Sequence, residues 1–215
     1  MKKIFLISIL LLFCVTVISA FAYAEDINAK IAPKAMSKSE AELRLVMNKL
    51  WESRATLLRA YIVSAMNDSK DADEAKDELL KNTRDLGASI QPYYGYWAKS
   101  ILTGLLKTDV SLTGEVIKAA KAGTKEDLDW AKKKWYANAF IVAGFFAITH
   151  NQTKEDLVKM FYEHLDLTWG EIDAILKKDK AKDLDCYEKD RVHMLMFSDV
   201  LVDGLVKQFP DRFKE

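Results

Sequence analysis

Apolar side chains recur along much of this chain at alternating spacings of four and three residues, which is the period of a packed helix. The first clear case follows Ser39 and Glu42, which match the capping-box pattern of a helix start. From there the seam, meaning the line of core-facing positions along one helix, is Leu43, Met47, Leu50, Arg54, Leu57, Tyr61 and Ser64. The pattern predicts a helix over residues 40–66.

Similar patterns predict five further helices. Eight glycines and three prolines are few breaks for 215 residues, and the stretches between them are rich in helix-forming side chains. Pro92 can begin a helix because its missing N–H costs nothing there, and Gly123 can supply a left-handed cap. The predicted bounds are 72–90, 92–122, 124–150, 153–178 and 180–208.

Part of the first half of the chain recurs in the second. Trp51, Asn67, Ser69 and Lys70 recur at one constant displacement as Trp135, Asn151, Thr153 and Lys154. At a slightly longer displacement, Asp109, Val110 and Gly114 recur as Asp199, Val200 and Gly204. Such repetition predicts an all-α, six-helix bundle of two tandem three-helix repeats, 39–123 and 124–210, with pseudo-twofold symmetry and one shared core over 39–210.

A polar side chain falls near the middle of each apolar seam. The set is Arg54, Thr83, Asp109, Asn138, His164 and Asp199, with His193 close to the same level. Buried polar groups must pair with one another or with a ligand, because leaving them unpaired is costly. The six helices therefore predict one buried polar layer.

Two interpretations of this layer follow from the residues. In the first it is a closed network in which Arg54 neutralises Asp109 or Asp199 and fixes helix register. In the second it is a ligand pocket at the repeat interface, since sites in bundles are built from facing helices. The pocket would be formed by Arg54, Asp109, Asn138, His164, His193 and Asp199, with Tyr94 of the aromatic stretch 93–97 at its rim.

The metal alternative uses four of the same side chains. His164, His193, Asp109 and Asp199 are nitrogen and oxygen donors that a metal or haem site could use. Arg54 disfavours a metal, because a fixed cation repels another cation. No paired Glu-x-x-His, Cys-x-x-Cys-His or His-Glu-x-x-His motif and no phosphate-binding glycine loop occurs, so no cofactor is expected.

The N-terminus has the pattern of a secretion signal. Lys2 and Lys3 precede an almost wholly apolar run from Ile4 to Ala20, and Ala22-Tyr23-Ala24 offers a small-x-small cleavage site. We expect a signal peptide over residues 1–24, a flexible lead-in over 25–38, and a periplasmic or secreted location. An uncleaved anchor is the alternative interpretation.

Composition argues against nucleic-acid binding, against a membrane span after the signal and against a disulfide. The chain carries 32 basic and 32 acidic side chains, whereas nucleic-acid binding needs a basic face. The most apolar run after the signal, residues 137–149, is shorter than the roughly 20 residues a membrane span needs, and is expected to be a helix buried on most sides. Cys186 is the only cysteine after the signal, so no intrachain disulfide can form there.

Five motifs spread over residues 50–210 resemble a family of largely uncharacterised bacterial helical proteins. That family shows an LWxxHxxWTR opening, a PYYG turn, a W-x-x-NA helix, an HL-x-x-T helix and a QFP ending. The matching residues here are Leu50, Trp51 and Arg59; Pro92, Tyr93, Tyr94 and Gly95; Trp135, Asn138 and Ala139; His164, Leu165 and Thr168; and Gln208, Phe209 and Pro210.

The departures from the family pattern fall on the polar layer. Where relatives have histidine this chain has Arg54 and Asp109, while His164 and His193 remain. An opposite-charge pair in place of two histidines is what a structural ion pair would look like, and it disfavours a metal in this chain.

We therefore expect a non-enzymatic exported bundle that binds a small ligand or protein partner around the layer. The alternative is a metal- or haem-binding bundle with redox or enzymatic activity.

Overall fold

The computed structural model describes residues 36–150 and 153–214, so the predicted signal peptide and most of the lead-in lie outside the described residues. Five α-helices and a short 3₁₀ turn make up this part of the chain, and the all-α class is confirmed. The helices are α1 Lys38–Met66, α2 Ala72–Ala122, α3 Lys125–His150, α4 Lys154–Leu176 and α5 Lys180–Gln208, and the 3₁₀ turn is Pro210–Phe213.

The helix ends are set by local side-chain and backbone chemistry. Ser37, rather than the predicted Ser39, caps α1, because its Oγ accepts the Glu40 N–H at 3.2 Å. The Ser37 and Glu40 pair has the same Ser-x-x-Glu spacing two residues earlier. Thr153 caps α4 as the sequence predicts, and Gly123 closes α2 with a left-handed φ of 76°.

The second and third predicted helices are joined in one element, α2, which folds back on itself at Gly95. Both Thr83 and Asp109 bond to Arg54, and Gly87 lies against Thr103. In a straight helix residues 83 and 109 would lie about 39 Å apart. The chain therefore reverses direction between them, and its two arms, residues 72–94 and 96–122, run antiparallel.

Gly95 makes this reversal within a single residue. Its φ of 78° and ψ of −177° are the only non-helical backbone angles inside α2. This combination is open almost only to glycine, because a Cβ would meet the residue's own backbone. Pro92, predicted to start a separate helix, instead lies inside α2 one turn before the kink.

The reversal gives the bundle two distinct ends. At the kink end, near Gly95, the start of α1 faces Tyr93, and Tyr94 donates to Gln208 of α5 at 2.5 Å. At the far end, Lys121 donates to the Ala65 carbonyl at 3.0 Å. The second arm of α2 runs from the kink end to the far end, and the helices that follow alternate in direction.

The core is centred on an aromatic cluster that draws one ring from each of four helices. Trp51, Phe146, Phe161 and Phe197 come from α1, α3, α4 and α5. Phe197 lies 4.8 Å from Trp51 and 4.7 Å from Phe161, centroid to centroid, in edge-to-face geometry. Such pairs stabilise beyond the area they bury, and they bring the helices together beside the polar layer.

The Gly95 geometry yields a stability prediction. Gly95→Ala should lower the free energy of unfolding by about 1–3 kcal/mol, since alanine is strained at these dihedrals. Urea unfolding followed by circular dichroism measures it. Gly104→Ala is the matched control, because a Cβ there meets nothing within 4 Å in ordinary helical backbone, and it should stabilise by up to about 1 kcal/mol. Equal effects of the two substitutions would contradict the assignment.

Candidate functional site

The polar layer is built around a buried ion pair between α1 and the second arm of α2. Arg54 is 2% exposed, and its guanidinium donates to Asp109 Oδ2 at 2.5 Å and to Thr83 at 3.3 Å. The other carboxylate oxygen of Asp109 accepts the indole N–H of Trp135 at 2.9 Å. One carboxylate thus connects α1, α2 and α3, and of the two alternatives it is Asp109 that pairs with Arg54.

A second buried pair joins α4 to α5. His164 Nδ1 lies 2.7 Å from Asp190 Oδ1, with both side chains almost fully buried. Burial alone would lower the pKa of His164, but Asp190 and the nearby Asp109 outweigh it and raise that pKa above its ordinary value. A protonated His164 gives the interior two cations and two anions, because Arg54 and Asp109 supply the other charges.

A third cluster of ionisable side chains lies between the polar layer and the far end of the bundle. Arg59 of α1 donates to both carboxylate oxygens of Asp183, at 2.7 and 3.1 Å, and lies 2.9 Å from Glu171. Burial of Glu171 raises its pKa to about 8, against the opposing attraction of Arg59, while Asp183 and Asp190 add to the increase. Glu171 is therefore mostly protonated at neutral pH.

A small cavity lies between the aromatic cluster and the two central ion pairs. Its walls include Trp51, Arg54, Asp109, His164 and Phe161, and the space open to the centre of a water molecule is about 10 Å³. This is close to the least volume that holds one water. The indole N–H of Trp51 is buried without a protein partner. The cavity can hold a single water and is far too small for a metabolite.

Other predicted site residues lie away from this centre. His193 is buried, but its Nε2 lies 2.8 Å from the Met160 carbonyl. Asn138 bonds to the Leu105 carbonyl at 3.3 Å and ties α3 to α2. Tyr94 is half-buried at the kink end, where its ring meets Phe209, so it rims no pocket at the layer.

Asp199 does not belong to the layer. Its side chain is about half exposed and accepts from Arg44 at 2.8 Å on the surface between α1 and α5. The buried residues of α5 are Cys186, Asp190, His193, Met194, Phe197, Ser198, Leu201, Val202, Gly204 and Leu205. The sequence prediction placed the seam through Leu195, Asp199 and Val202. Val202 is fully buried, but Leu195 and Asp199 are only partly buried, and the buried acidic residue of α5 is Asp190.

The alternative metal set is therefore not assembled. His164 is bound to Asp190, His193 to a backbone carbonyl, and Asp199 to Arg44. Over residues 36–149 and 153–214 no three histidine, cysteine or acidic side chains converge as a metal site would require. The chemistry of the layer is charge pairing between its own side chains.

Sequence reasoning missed the groups that complete the network. Asp190 stands three residues before His193, a spacing that is common by chance, and only the correct seam of α5 identifies it. Glu171 lies seven residues after His164, so both project from the same face of α4, and this was the available signal. Nothing in the sequence pattern distinguishes the indole N–H of Trp135 as a partner of Asp109.

One surface of the bundle is unusually apolar. The run 137–149, predicted to be buried on most sides, leaves Phe140, Ile141 and Ile148 exposed, the last by 83%. On the neighbouring arm of α2, Trp97 is 79% exposed and Ile101 about half exposed. Among the described residues no helix is long and apolar enough to cross a bilayer.

No protein-family model, curated protein or solved structure matches this chain. The resemblance to the bacterial helical family therefore depends on the motifs alone. The structure places several motif residues, including Trp51, Trp135, Asn138, His164 and Thr168, in the core or the polar layer.

The Arg54 and Asp109 pair yields a mutational prediction. Arg54→Met should lower the free energy of unfolding by about 3–5 kcal/mol, because it leaves the Asp109 charge buried and unpaired. The double variant Arg54→Met Asp109→Asn should be more stable than the sum of the single effects implies, since it removes both charges. Guanidinium unfolding monitored by tryptophan fluorescence measures Arg54→Met, Asp109→Asn and the double variant.

Arg44→Met is the matched control for that series. Arg44 pairs with Asp199 and Asp203 at the partly exposed edge of the bundle. It also pairs with Glu40. Each of these pairs should contribute no more than about 1 kcal/mol, because the carboxylates of Asp199 and Asp203 are about half exposed to water, so Arg44→Met should cost less than Arg54→Met. A cost equal to that of Arg54→Met would contradict the structural importance of the buried pair.

The raised pKa values predict that the protein is more stable in mild acid. A folded-state pKa of about 8 for Glu171 means that stability falls as pH rises from about 4.5, its ordinary value, to about 8. His164 acts in the same direction, because stability gained by a raised histidine pKa is lost as pH rises through the folded value. Unfolding free energies measured from pH 5 to 9 should decline, and Glu171→Gln should flatten the slope. An unchanged slope in that variant would refute the role of Glu171.

Proposed function

We propose that this protein is an exported, non-enzymatic helical bundle that acts by binding a partner at its surface. The observation that carries this proposal is that the buried Arg54 already has hydrogen-bond partners within the protein. Its guanidinium is engaged by Asp109 and Thr83, beside a cavity of about 10 Å³. The polar layer is then a structural network, and it leaves the outer faces of the helices as the binding surface.

The size of the cavity weighs against a small ligand in the layer. Pockets that bind metabolites enclose about 300–1,000 Å³. Enlarging the space beside Arg54 would require separating the Arg54 and Asp109 pair and the His164 and Asp190 pair. Each separation would leave buried charges without partners, which costs several kcal/mol.

The apolar surface of α2 and α3 supports a role in surface binding. Large exposed apolar patches on soluble proteins mark interaction sites, whereas singly scattered apolar residues do not. Trp97, Ile101, Ile141 and Ile148 expose half or more of their surface on two neighbouring elements. Their grouping supplies a place for a partner that the core does not offer.

Export is proposed from the N-terminal sequence. The basic start, the apolar run from Ile4 to Ala20 and the Ala22-Tyr23-Ala24 site together favour cleavage before Glu25. The mass of protein recovered from the envelope of a bacterial host would report whether residues 1–24 have been removed.

The duplicated architecture is also part of the proposal. Six helical segments result if the two arms of α2 are counted separately at Gly95. Trp51 and Trp135 occupy matching buried positions, and so do Arg54 and Asn138, each of which bonds across to α2. These correspondences support two three-helix repeats related by a pseudo-twofold axis.

Native mass spectrometry with elemental analysis tests the proposed function. Protein isolated from its own cell envelope should have the mass of the polypeptide alone and contain no stoichiometric metal. It should bind the apolar dye bis-ANS at the α2 and α3 surface, with binding reduced by Ile141→Ser and unchanged by Leu184→Ser on α5. A bound small molecule or metal that is lost on Arg54→Met would overturn the closed layer.

A further inference from the structure

One guanidinium near the far end of the bundle lies between two acidic side chains from different helices. Arg59 of α1 donates to both carboxylate oxygens of Asp183, which lies in the first turn of α5, at 2.7 and 3.1 Å. The Oε1 atom of Glu171 on α4 lies 2.9 Å from Nη1, the nitrogen that donates the shorter of these bonds. Two acidic side chains therefore compete for one guanidinium.

Glu171 is close to Arg59 without being hydrogen-bonded to it. The side chain is almost fully buried, and its Oε1 atom is not aligned with an N–H bond of Arg59 and has no other hydrogen-bond partner. Buried carboxyl oxygens are nearly always hydrogen-bonded, because an unpaired one costs free energy. A rotation of the guanidinium would supply the missing bond at the expense of Asp183.

The surroundings of Glu171 contain more acid than base. Four ionisable side chains face it from the neighbouring helices: Arg59 of α1, and Asp183, Cys186 and Asp190 of α5. Asp190 is bound to His164, and burial raises the pKa of the Cys186 thiol, so Arg59 is the cation within reach. Burial raises the pKa of Glu171 to about 8 against the attraction of Arg59, and Asp183 and Asp190 add to the increase.

The two competing side chains differ in how readily they can leave Arg59. Glu171 lies within α4 and is 3% exposed. Asp183 lies at the start of α5, directly after the short connection 177–179. Arg59 and Asp183 also border an open groove of about 400 Å³, together with apolar residues such as Val63. Asp183 can therefore move into water through the groove, whereas the buried Glu171 cannot.

We propose that Arg59 is a latch whose partner is set by the protonation of Glu171. While Glu171 carries its proton, Arg59 binds Asp183 and holds the start of α5 against α1. When that proton leaves for solvent, the guanidinium pairs with the Glu171 carboxylate inside the bundle, and Asp183 moves into water with the first turns of α5. The start of α5 is thus closed in mild acid and open in mild base.

Partner exchange is the least costly response to loss of the proton. Without it, the bundle would bury a second carboxylate beside a guanidinium that is already occupied. Releasing Asp183 breaks one ion pair at the edge of the bundle and unfolds a helix end, which is where proteins open most easily. The opening stops at Asp190, because His164 holds that residue to α4.

This inference goes beyond the proposed function. It adds regulation by pH, and it does not depend on which outer face of the bundle binds a partner. It also differs from a general loss of stability in base, since it assigns the change to one end of one helix.

Hydrogen exchange followed by mass spectrometry locates the opening, with protein as recovered from the envelope. The amides of residues 183–187 report on the start of α5, and residues 197–201 report on its core part, where Phe197 and Leu201 are buried. Protection is corrected for the intrinsic effect of pH on exchange. Between pH 6.5 and pH 9, residues 183–187 should lose at least about tenfold more protection than residues 197–201.

Two variants of α4 test the role of the Glu171 proton. Glu171→Gln keeps the shape of the side chain but cannot ionise, so residues 183–187 should stay protected at pH 9. Asp173→Asn is the matched control, because Asp173 lies near the same end of α4 and pairs with lysines rather than with Arg59. This control should keep the full response to pH.

Asp183→Asn distinguishes partner exchange from simple repulsion between two carboxylates. Without the Asp183 charge, Arg59 is free to pair with Glu171, so the latch predicts that residues 183–187 have lost protection already at pH 6.5 and do not regain it at pH 9. Repulsion alone predicts the opposite, because the variant has no second charge to repel and should stay protected at pH 9.

Four results would overturn the latch. They are protection at residues 183–187 that does not change with pH, an equal loss in Glu171→Gln, an equal loss at residues 197–201, and protection at pH 9 in Asp183→Asn. None of them bears on surface binding. A ligand found in the polar layer would instead overturn the proposed function and leave the latch untouched.

Discussion

The structure depends on one buried ion pair. Arg54 and Asp109 lie at the level where α1, the two arms of α2 and α3 come together, and Trp135 and Thr83 complete their hydrogen bonds. A charge this deeply buried is stable only in a single geometry, because any sliding of α1 against α2 leaves it without a partner. Apolar contacts alone tolerate such sliding, whereas this pair does not.

The second pair, His164 with Asp190, extends the same constraint to the other half of the bundle. The aromatic cluster lies against the polar layer, with Trp51 and Phe161 lining the cavity between them. The apolar layer supplies most of the free energy of association and the polar layer selects one arrangement of the helices. Burial of both layers in the same cross-section explains why so little empty space is left for a ligand.

Much of this could be predicted from sequence, and the failures have physical causes. The helical class, the helix ends at Gly123 and Thr153, and the burial of Arg54, Asp109 and His164 follow from spacing and capping rules. Asp199 was misplaced because the seam of α5 has apolar residues on more than one side, so periodicity alone leaves its rotation ambiguous. Asp190 was missed for the same reason. The choice of Asp109 as the partner of Arg54, and the reversal of α2 at Gly95, depend on tertiary contacts that local pattern does not contain.

The reversal at Gly95 has a further consequence for a protein proposed to work outside the cytoplasm. Proteases cut at exposed, extended loops, because their clefts bind substrate as an open strand. Two antiparallel helical arms joined by one glycine present no such strand, even though the chain turns back there. Among the described residues, the longest stretch between successive α-helices runs from Asn67 to Asp71. Resistance to digestion is thus built into the way the chain changes direction.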